Sequence, residues 1–232
     1  MTVENQILTA LSADMLDRLT PHLERVTLSQ GSIIHKPGEP LLHLFFPLDC
    51  LFSITITMQD GATAEVGMIG NQEVLGLNTL MGNSASTQTA YMVQIPGSAM
   101  RIETQRLRQE FKRHDELHDV LLRYTQAFMA QVSQTAACNA LHTLDQRLPR
   151  WLLETQFCIH SDYLPLTQEF IAHMLGVRRA DVTQAAQKLQ ERKLIQYQRG
   201  KVQILNQSGL EASACECFRT TRAEYDRLLR KT

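Results

Sequence analysis

The chain has 232 residues, enough for two modest domains, and a formal net charge of −1 at pH 7. With 44% hydrophobic and 20% charged residues it has the make-up of a folded globular protein, which excludes a disordered chain. No stretch approaches the roughly 18 apolar residues of a spanning helix, so no membrane span is expected. The start, Met1-Thr-Val-Glu-Asn-Gln6, lacks the basic opening and apolar run of a signal peptide. The five cysteines follow no regular framework, which fits a reducing compartment. The expectation is a cytoplasmic protein with no membrane partner.

Residues 4–28 read as helix, with Leu16, Leu19 and Leu23 on one face and Ser12 suited to cap it. From about 29 to 103 the texture changes to short strands. They are punctuated by Gln30-Gly31-Ser32, Lys36 to Glu39, Asp60-Gly61, Gly70-Asn71, Gly82-Asn83 and Pro96-Gly97. Phe52 to Met58 alternates as a half-buried strand does, and the region as a whole predicts a β-sandwich, jelly roll or barrel. Helix returns from Glu103 to Phe111 and from Asp115 to about Asn139. In the longer helix Leu117, Leu121, Tyr124, Phe128 and Val132 recur close to a heptad. Such a stripe serves either a dimer seam or packing against the chain's own strands. A hinge is expected near Cys138 to Leu144, followed by a helix from Asp145 to Gln156 that turns Leu148, Trp151 and Leu152 inward.

Residues 164–205 are the most informative stretch. Thr167 is a good N-cap, Leu166 can staple onto Ile171, and Phe170, Ile171, Met174 and Leu175 form a buried stripe. Gly176 stands where this first helix must stop. A second helix buries Val182, Ala185, Ala186 and Leu189 and shows Arg179, Ala180, Thr183, Gln184, Gln187 and Lys188 on its other face. Two helices joined by so short a turn make a helix-turn-helix. Ile195 and Tyr197, then Val202 and Ile204, alternate with polar residues around Arg199-Gly200, which predicts a hairpin wing with Arg199 and Lys201 at its tip. From 178 to 201 the chain carries seven basic and two acidic residues, about +5 in a protein that is nearly neutral overall. Arg178 and Arg179 open the second helix, where the macrodipole disfavours cations unless an anion arrives. A solvated basic face competes with this reading, but the helix-turn-helix beneath it favours double-stranded DNA as partner.

Thr167-Gln-Glu-Phe-Ile-Ala-x-Met-Leu-Gly-Val-Arg-Arg-Ala-x-Val-Thr183, with Leu-Ile-x-Tyr-x-Arg-Gly200, resembles the DNA-binding domain of the Crp/Fnr regulators. Leu210 to Phe218 is similar to a branch ending in Leu-Glu-Ala-x-Ala-Cys-Glu-Cys-Phe/Tyr. The resemblance implies an α+β fold: a β-roll (jelly roll) of the cyclic-nucleotide-binding type, a long dimerisation helix and a C-terminal winged helix-turn-helix. It divides the chain into 1–139 and 140–232. It also implies a homodimeric, sequence-specific transcriptional regulator on a palindromic operator, in which Leu117, Leu121, Tyr124, Phe128 and Val132 serve the dimer. The DNA-binding set it implies is Thr167, Gln168, Arg178, Arg179, Ala180, Thr183, Gln184, Lys188, Arg199 and Lys201. Arg179 is the best placed for a guanine edge, Gln184 for a base one turn on, and Thr183 or Lys188 for phosphates. Many family members resemble Arg-Glu-x-x-x-Arg here; this chain has Arg179-Ala180 and then Gln184, so their common operator does not carry over.

Members that bind cyclic AMP resemble Gly-Glu-Leu followed by Arg-Ser/Thr-Ala. Here Gly76-Leu77-Asn78 and Gln88-Thr89-Ala90 stand in those places. The cyclic phosphate then lacks its cation and the ribose its carboxylate, so the usual ligand is not expected. Gly76, Leu77, Gln88 and Thr89 mark the pocket; a different small-molecule effector, or none, remains open.

Leu210 to Leu229 reads as one helix, on which Cys215 and Cys217 would point about 200° apart and not easily chelate one ion together, so they read as small buried thiols of the core. No cofactor and no metal are expected, and His114 and His118, spaced i, i+4, read as surface residues. No Gly-x-Ser-x-Gly, phosphate-binding loop or His-Glu-x-x-His is present, so no enzyme is expected. Two rival readings stand: a ligand-sensing or interaction protein working through the β-roll, and a redox switch using Cys138, Cys215 or Cys217. An activator would also need a surface patch for RNA polymerase, which one sequence does not mark.

Overall fold

The computed structural model describes residues 4–82 and 87–229. Asn83 of the Gly82-Asn83 turn signal lies outside them. Two short helices, α1 (Gln6–Thr9) and α2 (Ala13–Leu19), open the chain. Asn5 caps the first and Ser12 the second through their side-chain oxygens. The helix expected to reach residue 28 stops earlier, because β1 (Glu24–Leu28) pairs antiparallel with β7 (Gly97–Glu103). Its Val-Thr-Leu sequence suits that ladder better than a helix.

The roll consists of two antiparallel sheets. One has the order β1-β7-β3, with β3 at His43–Pro47; the other is β2-β6-β4-β5, with β2 Ile33–His35, β4 Leu51–Thr57, β5 Thr63–Ile69 and β6 Ala90–Ile95. Phe45, Phe52, Ile54, Ile69, Tyr91 and Val93 fill the space between the sheets. The alternation of β4 predicts burial on one face, yet all of Leu51–Thr55 is buried. Its second face is covered by the C-terminal half of the chain. There Ser53 donates to Gln94 at 2.6 Å, while Leu51, Met68 and Ile95 join the core that surrounds Trp151.

After α3 (Asn78–Met81) and α4 (Thr104–Phe111), the long helix α5 runs from Glu116 to Leu141. Asp115 caps it, and an extended His142 ends it. Leu117, Leu121 and Tyr124 are at most 1% exposed and belong to the chain's own core with Leu19, Phe46 and Val74. The expected dimer stripe is therefore largely consumed within the chain, and Phe128 and Val132 are only partly buried. A heptad-like period records a helix face that is buried, not what buries it. The face left open carries Leu122, Gln126, Met129, Ser133, Ala136 and Ala140.

The C-terminal part holds α6 (Leu144–Ile159), β8 (Tyr163–Leu164), α7 (Gln168–Leu175), α8 (Arg179–Glu191), β9 (Ile195–Gln198) and β10 (Lys201–Ile204). Thr143 and Gln146 form a capping box at the start of α6. The expected single helix from Leu210 is two: α9 (Gln207–Ser213) and α10 (Cys217–Leu229). Ala214 is extended, so Cys215 and Glu216 lie in a break, and the opposed-sulfur argument for Cys215 and Cys217 fails with the helix it assumed. Beyond the break α10 packs along α5 and buries Tyr225 and Leu228 in the core of the roll.

Two carboxyl groups are sealed in these seams. Glu65 of β5 accepts from Trp151 Nε1 at 2.7 Å, and its other oxygen has no partner among the described residues. Burial pushes its pKa up to about 8, against the opposing pull of the Trp151 hydrogen bond. Glu73 accepts from the Tyr225 hydroxyl and the Gly70 amide at 2.5 Å each, and burial raises it to about 7.

Candidate nucleic-acid interface

The helix pair is built from local rules. The Thr167 hydroxyl accepts from the Phe170 amide at 3.1 Å, so α7 begins where the sequence predicts. Gly176 has φ 63° and ends α7: its amide reaches His173 O at 3.3 Å and that of Val177 reaches Ala172 O at 3.0 Å. Val177 and Arg178 complete the turn. Ile171, Met174 and Leu175 then meet Val182, Ala185, Ala186 and Leu189 in the core around Leu148 and Trp151. The two alanines keep the inner face of α8 small enough for close approach of α6 and α7.

Arg178 is the N-cap of α8 and offers no side-chain acceptor to the first amides, so the positive end of the helix is uncapped. The guanidinium instead forks onto Asp181 at 3.0 Å, which holds that carboxyl below its ordinary range. Arg179, with a side chain 68% exposed, leans toward Glu169 across the turn at 3.8 Å. Thr183 donates to Gln168 Oε1 at 2.7 Å and also reaches Arg179 O at 3.0 Å, which ties the start of α7 to α8. Gln184 is exposed one turn beyond Ala180. Lys188 is exposed too, but its ammonium sits 2.5 Å from Asp145 in the first turn of α6.

The wing turns at Arg199 (φ 48°) and Gly200 (φ 77°), two successive left-handed residues that suit a two-residue hairpin, with Gln198 opposite Lys201. β10 also pairs with β8, giving a sheet of order β8-β10-β9. Tyr197 anchors the wing to the helix pair: its hydroxyl accepts from the Gln168 amide at 2.9 Å and donates to Leu166 O at 3.2 Å. Thr167, Arg178, Arg179, Ala180, Thr183, Gln184, Lys188, Arg199 and Lys201 are all exposed, and Gln168 is partly so. Three carboxylates that hold these cations were not singled out as partners: Asp145, Glu169 and Asp181. The i, i+3 spacing of Arg178 and Asp181 was visible in the sequence; the pairing of Lys188 with Asp145, 43 positions apart, was not.

In the roll, Gly76, Leu77 and Thr89 line a cavity of about 430 Å³ with Ile54, Val66, Tyr91, Tyr124 and Phe128 among its walls. Gln88 is not among them. Among the described residues the lining carries no charged side chain; its polar groups are hydroxyls and Asn78, which accepts from Tyr91 at 2.9 Å.

Residues 25–114 match the cyclic nucleotide-binding domain and residues 146–213 the Crp-like helix-turn-helix domain. No curated protein matches the chain. Among solved structures, a protein assigned to the Crp/Fnr family of transcriptional regulators from Eubacterium rectale aligns with a TM-score of 0.69 at 18% identity, over 89% of this chain and 96% of its own. FixK2 from Bradyrhizobium japonicum aligns at 0.70 and 14% identity, over 83% of this chain and 98% of its own. The c-di-GMP responsive global regulator CLP of Xanthomonas campestris gives 0.68 and 18%, over 83% and 99%. A cyclic-nucleotide-type roll, a long helix and a Crp-like helix-turn-helix follow one another in a single chain, and the chain belongs to the Crp/Fnr family of transcriptional regulators.

Proposed function

We propose that this regulator binds a roughly two-fold symmetric operator as a homodimer, with α8 in the major groove of each half-site, and performs no enzymatic reaction. The observation that carries this is the start of α8, which has no side-chain cap and presents two exposed arginines. Arg179 reads a guanine edge and Gln184 a base one turn further on. Arg178, Thr183, Lys188 and the wing residues Arg199 and Lys201 hold phosphates, while Thr167, Gln168 and Ala180 lie along the same contact. Dimerisation uses the open face of α5, from Leu122 (46% exposed) through Met129 (65%) to Ala140. That face runs into the cavity mouth, where Ile56 and Met81 are also exposed, so one partner helix covers both.

The roll does not answer to cyclic AMP in the usual mode, because among the described residues the cavity wall offers its phosphate no cation and its ribose no carboxylate. An uncharged, largely apolar effector suits that lining. The division of labour is 1–139 for the roll and dimer helix and 140–232 for DNA.

The test is selection of genomic fragments by the purified, unliganded protein at about 0.15 M salt, where purely phosphate-driven binding is weakened. Enrichment of a short inverted repeat is expected. A folded dimer that enriches nothing would overturn the reading for the unliganded protein.

A further inference from the structure

The end of α5 and the break between α9 and α10 meet at a cluster that the DNA-binding reading does not use. Cys138 lies in the last turn of α5, and His142, which ends that helix, donates its amide to Cys138 O at 3.0 Å. Cys215 sits in the break and Cys217 opens α10. The three sulfurs and a ring nitrogen of His142 all lie within 4.8 Å of one another. Cys138 Sγ is 3.5 Å from Cys215 Sγ, and Cys217 Sγ is 3.5 Å from His142 Nδ1. A tetrahedral ion with metal–sulfur bonds of about 2.3 Å and a metal–nitrogen bond of about 2.0 Å sets its ligands roughly 3.5–3.8 Å apart, close to this spacing.

We propose that Cys138, His142, Cys215 and Cys217 form a mononuclear site for a zinc-class divalent ion, which clasps the end of α5 to the start of α10. Three thiolates and one imidazole are a soft donor set that favours zinc over magnesium or calcium. A polynuclear iron–sulfur cluster interposes several atoms between its ligands and needs a wider cradle than 4.8 Å. Loading releases a proton from each of the three thiols to solvent and leaves the site with one net negative charge.

The surroundings suit that charge. The His142 ring presents Nδ1 to the sulfurs, and its Nε2 faces Glu216 at 3.4 Å, the outer carboxylate that orients a ligating imidazole. Gln134 Nε2 donates to Cys217 Sγ at 3.1 Å. Arg147 and Arg150 of the adjoining α6 are both buried, and among the described residues the Nε of each lacks a hydrogen-bond partner. A Cys138–Cys215 disulfide would account for two of the four residues and leave His142 and Cys217 unexplained, together with the placing of Glu216 behind the ring. The ion also explains why the chain breaks its helix at Ala214–Glu216, since continuous helix would carry Cys215 and Cys217 apart. By tying α5 to α10 beside His142-Thr143, it fixes the joint from which α6 leads into the helix-turn-helix.

Full-length protein, purified under reducing conditions, should carry about one zinc per chain by mass spectrometry of the metal. After chelation it should bind one Co²⁺ per chain with the thiolate charge-transfer and d–d absorption of a tetrahedral sulfur-rich site. Cys217→Ser should lose the bound metal, Cys158→Ser should keep it, and Glu216→Gln should weaken Co²⁺ binding about 10–100-fold. His142→Gln and Glu216→Gln alter partly or fully exposed positions, so they test the site if a cysteine variant fails to fold. The proposal is overturned if reduced wild type takes up no Co²⁺, if the charge-transfer band persists in both Cys217→Ser and His142→Gln, or if the protein is purified metal-free with Cys138 joined to Cys215.

Discussion

The C-terminal part handles charge in opposite ways on its two sides. On the outer side Arg178, Arg179 and Lys188 rest against Asp181, Glu169 and Asp145 in ion pairs open to water. Such exposed pairs are weak and screened by salt, so each cation can exchange its carboxylate for a phosphate at small cost. On the inner side, where it meets the roll, its Arg147 and Arg150 and the roll's Glu65 and Glu73 are at most 9% exposed. There a lost partner leaves an uncompensated polar group, and the penalty is several-fold larger. The outer charges are arranged to re-pair, whereas inside the fold Glu65 and Glu73 tie the roll to Trp151 of α6 and Tyr225 of α10.

The largest expected effect comes from the inner side. Trp151 is 1% exposed and its indole N–H is the partner of Glu65. Trp151→Ala removes the ring from the shared core and orphans the carboxyl. A loss of about 3–5 kcal/mol is expected in urea unfolding monitored by far-ultraviolet circular dichroism. A loss under about 1 kcal/mol would mean that the two halves are not packed as one core.

Glu65 and Glu73 give the inner side a pH signature of definite sign. Their pKa values rise from the ordinary 4.5 to about 8 and about 7 on folding, so between those limits the native chain holds protons that the unfolded chain has released. Their contribution to stability is fully present below pH 4.5 and is lost as pH rises through 7 and 8. Unfolding measured across this window should show stability falling with pH, and Glu65→Gln should flatten the upper part of the fall. A wild-type profile that climbs over the same range would contradict the burial of both groups.

The outer side is read through DNA. Arg179→Ala should cost about 1–3 kcal/mol of binding to a selected operator and relax preference at one base pair per half-site. Equal weakening on all sequences would instead make Arg179 a phosphate contact. Its stability effect should be far smaller than that of Trp151→Ala, because Glu169 is its only charged partner among the described residues and both side chains are more than two-thirds exposed.

What the sequence revealed follows the same division. The helix-turn-helix was legible because its signals are local: Thr167 as cap, Gly176 as stop, and two apolar stripes at helical spacing. Signals with the same period but a different partner were misleading. Leu117, Leu121 and Tyr124 carry a coiled-coil rhythm although their partners are Leu19, Phe46 and Val74 of the same chain. The alternation of β4 predicted one buried face because nothing local announces that Trp151, some hundred positions later, covers the other side. Cys215-Glu-Cys217 looked helical because its propensity is unremarkable, and the break that gathers the sulfurs depends on residues at 138 and 142. Pairings at long sequence separation were therefore the part that could not be read.

The smallest expected effect separates the two uses of charge within one pair. Lys188 and Asp145 are 61% and 50% exposed at their side chains, so Asp145→Asn should lower stability by under about 1 kcal/mol. The same change frees the ammonium from its carboxylate before DNA arrives, so affinity should rise modestly for every sequence, with no change in base preference. Fluorescence anisotropy on operator and on scrambled duplex measures both affinities. If Asp145→Asn weakens DNA binding, then Asp145 is positioning Lys188 for the phosphate instead of competing with it, and the pair belongs with the rigid inner side of the domain.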